Sequence, residues 1–135
     1  MKKMFALIAA PVALSLLPLA ASAQQAVVDG TVRGYMATVT NAPPALDEQD
    51  PAVKAERSFV VATDGGYLLV PNVGSETLRK YATDRVRVVG EIAPERHSIL
   101  ASKIELQSGD HWKPVWSKRE AERRKWDEER RYLAD

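Results

Sequence analysis

The chain has 135 residues, with 19 Lys and Arg against 18 Asp and Glu, and it contains no cysteine. Those counts exclude a disulfide framework and a thiolate metal site, and a formal charge of +1 lacks the basic excess that holds a phosphate backbone. A chain of this length can fill one small core but not two.

Met1, Lys2 and Lys3 make a short basic start, residues 4–20 form an apolar run, and Ala21-Ser22-Ala23 is a small-x-small site ahead of Gln24. This is the layout of an export signal, residues 1–23, cleaved between Ala23 and Gln24. The run falls short of the roughly 20 apolar residues of a membrane span and is interrupted by Pro11 and Pro18. The expectation is a periplasmic or secreted protein whose mature form has no membrane span. Cleavage leaves 112 of the 135 residues, and loss of Lys2 and Lys3 takes the basic count from 19 to 17 against 18 acidic groups, a formal charge of −1.

The remainder divides near Pro114, giving residues 24–113 as a β domain and residues 114–135 as a charged helical appendage. Before Pro114 apolar residues alternate between Gly, Pro, Asn and Asp; after it charge dominates, with no Gly or Pro. In a first strand over residues 28–36, Val28, Gly30, Val32, Gly34 and Met36 share one face and Asp29, Thr31, Arg33 and Tyr35 the other. A long connection follows, from Ala37 to Arg57, containing Asn41-Ala42-Pro43-Pro44 and the acidic Asp47-Glu48-Gln49-Asp50-Pro51. Connections of this length often carry function.

Phe59–Thr63 and residues 67–70 are β-rich runs joined by Asp64-Gly65-Gly66, a composition suited to a tight hairpin. Ser75 is placed to cap a short helix over residues 76–82, with Leu78 and Tyr81 inward. Residues 85–92 alternate again, with Val86, Val88, Gly90 and Ile92 inward, and a turn over residues 94–97 leads to a last strand over residues 99–106. Strand, hairpin, helix, strand, strand is the order of an OB-fold, a five-stranded barrel with a short helix between its third and fourth strands.

Three segments carry a likeness to a known group: Val28-Asp29-Gly30-Thr31-Val32, Asp64-Gly65-Gly66-Tyr67, and Val86-Arg87-Val88-Val89-Gly90-Glu91-Ile92 with the strand after it. Across residues 27–106 this pattern resembles the small bacterial OB-fold proteins exported to the periplasm, the BOF-like family. The resemblance implies a binding or stress-related role in the cell envelope and fixes no ligand.

Beyond Pro114, Ser117 and Glu120 have the spacing of a capping box, and opposite charges recur four apart, as in Glu120 with Arg124, Arg123 with Asp127, Arg124 with Glu128, Lys125 with Glu129 and Asp127 with Arg131. The expected helix is sparsely apolar, with Trp126 and Leu133 on one stripe. Two roles fit it. Trp112, Trp116 and Trp126 can plug one end of the barrel, or Trp126 and Leu133 can anchor an envelope protein or peptide with Arg130 and Arg131 at the rim.

The residue inventory does not favour an enzyme, a metal site or a cofactor. His97 and His111 are the only histidines and lie apart, and Asp47, Glu48 and Asp50 lack the glycine and distal glutamate of a calcium loop. For ligand binding the candidates are Tyr35, Phe59 and Tyr67 as stacking surfaces, with Arg33 and Arg57 as cations. The expected function is a non-catalytic exported OB-fold module that recognises a protein, peptide or small ligand. A single-stranded nucleic-acid or nucleotide binder is the alternative, disfavoured because Asp29, Glu56 and Asp64 oppose the cations.

Overall fold

Alternation in β1 (Gln25–Gly34) buries Gly30, Val32 and Gly34 and turns Asp29, Thr31 and Arg33 to the opposite face. The structure, a computed structural model, describes residues 25–134, so the expected export signal and its cleavage site lie outside the described residues. After β1 come α1 (Tyr35–Val39), α2 (Pro51–Ala55), the hairpin β2 (Phe59–Thr63) and β3 (Gly66–Leu69), then α3 (Ser75–Arg79). β4 (Arg85–Ala93), β5 (Ser98–Ser108), β6 (His111–Ser117) and α4 (Lys118–Ala134) complete the chain.

The strands form one six-stranded sheet in the order β3-β2-β1-β4-β5-β6, with antiparallel neighbours throughout. A parallel pairing of Leu69 in β3 with Ser98 in β5 bends that sheet into a ring, through a bond from the Leu69 N–H to the His97 carbonyl at 2.7 Å. Just beyond it Asn72 stands in for a missing strand. Its side-chain amide donates to the Ala101 carbonyl at 2.7 Å, and its side-chain oxygen accepts from the Ala101 N–H at 2.9 Å. Asn72→Ala should orphan both backbone groups and lower stability by about 2 kcal/mol in chemical denaturation. Asn72→Asp should recover only part of that loss, because a carboxylate cannot donate to Ala101.

Inside the ring Val32, Val61, Val86, Val88, Ile99 and Ile104 are fully buried, with Phe59, Leu78 and Trp116 packed around them. Gly30, Val32 and Gly34 of β1 and Val86, Val88 and Gly90 of β4 are buried together, as the alternation of those two strands predicts.

Four sequence expectations need correction. Five strands were expected and the sheet has six, because residues 111–117 pair with β5 although Pro114 lies among them. Pro lacks the N–H for a ladder, and β6 is an edge strand, where that N–H has no neighbour to bond. The expected domain boundary at residue 114 consequently falls inside β6. Tyr35 and Met36 begin a helix instead of ending the first strand, since Glu56 accepts the Met36 and Ala37 N–H groups at 3.2 and 2.9 Å. Ser75 is the first residue of α3 and makes no capping bond, the N-cap being Gly74.

The tryptophans also do not act together. Trp116 pairs with Ile104 and enters the core, Trp112 lies half-buried beneath the Arg87 guanidinium at 4.1 Å, and Trp126 is 65% exposed. α4 itself begins where its cap predicts, with the Ser117 hydroxyl accepting the Glu120 N–H at 3.2 Å. It buries no residue, and only Ala121 in its first turns packs against the core. Its ion pairs are Lys118 with Glu122 and Asp127 with Arg130, not the five spaced pairs expected. Long exposed side chains gain only a few tenths of a kcal/mol per pair, so they choose partners weakly.

Candidate ligand-binding site

Residues 37–58 fold back on the sheet through local bonds that their composition supplies. Asn41 takes a left-handed turn at φ 53°, and Pro43-Pro44 keeps the chain extended beyond it. Asp50 caps α2, accepting the Ala52 N–H at 2.9 Å and the Leu46 N–H at 3.3 Å, and Pro51 occupies the first helical position. Asp47 accepts the Gln49 N–H at 2.8 Å. Two members of the acidic run thus hold backbone in place.

Three tertiary ties fasten this segment to the ring. Val53 of α2 is 4% exposed and joins the core, the Arg33 guanidinium donates to the Ala42 carbonyl at 2.8 Å, and Glu56 caps α1. Arg79 of α3 adds a bond to the Glu56 carbonyl at 3.0 Å. The result is a fixed roof of Ala42, Pro43, Pro44 and Ala45 over a cavity of about 450 Å3. Its floor carries Thr31, Arg33 and Ala62, and Thr83 and Arg85 also line it. That volume lies within the roughly 300–1,000 Å3 of small-molecule sites.

The charges around the cavity differ in how far they are neutralised. Asp29 accepts from Arg87 Nε at 2.8 Å and from a second Arg87 nitrogen at 3.2 Å. That hydrogen bond, followed by smaller attractions to Arg87 and Arg85, holds the Asp29 carboxyl below its usual range. The same bond raises the Arg87 guanidinium above its own. Glu56 is engaged by the α1 N–H groups. Arg33 has only the Ala42 carbonyl, and Arg85 has neither an ion-pair partner nor a side-chain hydrogen bond among the described residues.

At the start of β4, Asp84 is pushed upward, chiefly by burial and next by Glu48. A raised folded-state pKa means that the native protein binds the proton more readily than the unfolded chain. The unfavourable term is absent below the ordinary carboxylate range and develops as pH rises through the raised value. Asp84→Asn should therefore raise the unfolding midpoint at pH 7, and its advantage over the parent should disappear near pH 3, measured by thermal melts across pH.

The residues singled out from sequence are not brought to one place. Arg33 lines the cavity. Tyr35 and Tyr67 meet edge to face at 6.0 Å and 79°, while His97 stacks on Tyr67 at 6.0 Å and 25°. Phe59 is 3% exposed, in the core beneath the Arg79 guanidinium at 5.5 Å, so it offers no stacking surface. Arg57 is exposed beside Tyr35 and Met36 in a separate shallow hollow. On α4, Trp126 and Leu133 are exposed, as are Arg130, which pairs with Asp127, and Arg131.

Sequence reasoning missed His97, whose left-handed φ of 47° turns its ring toward Tyr67 while its carbonyl closes the ring of strands. It also missed Arg85, for which no local signal exists. No cluster of three His, Cys, Asp or Glu suited to a metal is present among the described residues, and no described helix is long and apolar enough to cross a membrane. No protein-family model matches the chain, and no curated protein or solved structure matches it either.

Proposed function

We propose that this is an exported, non-catalytic binding module of the cell envelope, built on an OB-fold of the periplasmic bacterial kind, that takes a small ligand into the cavity beside β1. The observation that carries the reading is the roof. Asn41, Asp47, Asp50, Val53 and Glu56 fix the segment that carries Ala42 to Ala45, so that these four residues stand over the cavity. The OB-fold assignment draws support from the pairing path β1-β2-β3-β5-β4 and back to β1, with α3 between β3 and β4. β6 and α4 are additions to that plan.

A preformed cavity with an apolar roof and a polar floor favours recognition, and the reading gives no residue a catalytic task. A thermal-shift screen of small metabolites tests it. A ligand present at about a hundred times its Kd adds about 2.7 kcal/mol of stability, a rise on the order of 10 °C for a domain of this size. Ala62→Leu, which fills the floor, should abolish the rise while leaving the circular dichroism of the protein unchanged. A screen in which nothing stabilises the parent, or in which Ala62→Leu responds equally, overturns the cavity reading. Export is tested by fractionation and N-terminal sequencing, where mature protein should begin at Gln24; intact chain confined to the cytoplasm overturns it.

A further inference from the structure

We infer that the ligand of this cavity carries an anionic head group, a carboxylate or a phosphate ester, on a compact apolar body, with Arg33 and Arg85 as its counter-ions. The inference rests on the cavity being a ligand site. It follows from which charges there already have partners. Of the five ionisable side chains lining the cavity, Asp29 is bonded twice by Arg87, and Glu56 is held by two backbone N–H groups. Asp64 lies exposed on the turn of the β2–β3 hairpin, in full water. Only Arg33 and Arg85 remain as cations without a carboxylate within ion-pairing distance among the described residues.

The register places these two arginines on the same face of the sheet, and both line the cavity. Arg85 pairs with Thr31 across the β1–β4 ladder, and Arg33 follows two residues along β1 on the same face, about 7 Å further on. An oxyanion bound over Thr31 would lie between an arginine of β1 and an arginine of β4, both lining the cavity with Thr31. Arg33 donates through one nitrogen to the Ala42 carbonyl, which orients its plane and leaves other donors for a ligand. Above that spot the roof offers methyl and pyrrolidine groups from Ala42, Pro43, Pro44 and Ala45, which suit a small apolar body and offer no side-chain donor. The one lining carboxylate without a bonding partner among the described residues is Asp64, on the hairpin turn, against two such arginines.

Isothermal titration of the protein with octanoate, octyl phosphate, octanol and octylammonium separates the possibilities. Octanoate or octyl phosphate should bind at least about tenfold more tightly than octanol, and the better of the two identifies the head group as carboxylate or phosphate. Arg85→Gln removes an exposed side chain without a partner, so its melting temperature should match the parent. Its preference for the anionic probe over octanol should fall by about tenfold. Arg33→Lys should lose part of that preference while retaining the charge. Octanol binding as tightly as octanoate, or an anion preference unchanged in Arg85→Gln, overturns the head-group assignment and leaves the cavity reading intact. Preference for octylammonium overturns it in favour of Asp64. Silence from all four probes also overturns it, and the cavity reading falls with it only when the metabolite screen is silent too.

Discussion

Alanine at Gly90 is expected to lower the unfolding midpoint by on the order of 10 °C, a loss of about 3 kcal/mol. A Cβ built there runs into the Leu100 carbonyl and comes within 2.9 Å of the Ala101 Cα. Both obstacles are backbone, so no rotamer change relieves them. The position is also where the β4–β5 register shifts, Val89 facing Lys103 and Gly90 facing Ala101, so that Ser102 is an extra residue in β5 and bends that strand as the ring closes. Pushing β5 away at Leu100 moves Ala101, and with it the two Asn72 bonds that continue the edge past the Leu69–Ser98 pairing. The natural control is Gly74→Ala, where nothing lies within 4 Å of the added Cβ. Gly74 is the N-cap of α3, where Ala is poorer than Gly, so that change should cost at most about 1 kcal/mol, well short of the loss at Gly90. Equal melts for the two variants, by circular dichroism, would reject the close approach of β4 and β5.

How much of this was legible beforehand depended on whether a residue's role was decided by its neighbours in sequence. The alternation of Val28, Val32, Val86 and Val88 and the Asp64-Gly65 turn are local signals, and they located the strands and the hairpin correctly. By contrast, α1 starts at Tyr35 because of a glutamate 20 residues beyond Met36, a cap that no local pattern announces. β6 was hidden by Pro114, which reads as a break before the terminal helix but also suits an edge strand. Phe59 is a candidate platform by residue type, but in a barrel this small an aromatic side chain favours the core, and its partners in β1 and α3 hold it there. The cavity was least legible of all. Its cations come from β1 and β4, and its roof becomes a roof only because Val53 finds the core.

That anchoring leads to the second large effect: Val53→Asn is expected to release the roof while the ring stays folded. Val53 is the only buried residue of α2, and at 4% exposure it belongs to the cluster containing Val32, Phe59 and Leu78. An amide there loses the burial of the isopropyl group and gains no bonding partner, at a cost of about 3 kcal/mol. α2 is five residues long, too short to persist without its anchor. Letting it go removes the Glu56 cap from α1 and the seat of the Arg33–Ala42 bond, yet it breaks no strand pairing. The unfolding is therefore local, and hydrogen exchange reads it directly. Amides of Val53, Lys54 and Ala42, which are bonded within this segment, should exchange at least tenfold faster, while those of Val32 and Leu69, bonded across the ring, stay near the parent rates. Any ligand of the cavity should lose affinity to the same extent as the roof loses population, because only the covered state presents Ala42 to Ala45 against Thr31 and Arg85. Uniformly faster exchange at both sets of amides would instead make the roof part of the global core and remove its independence from the ring.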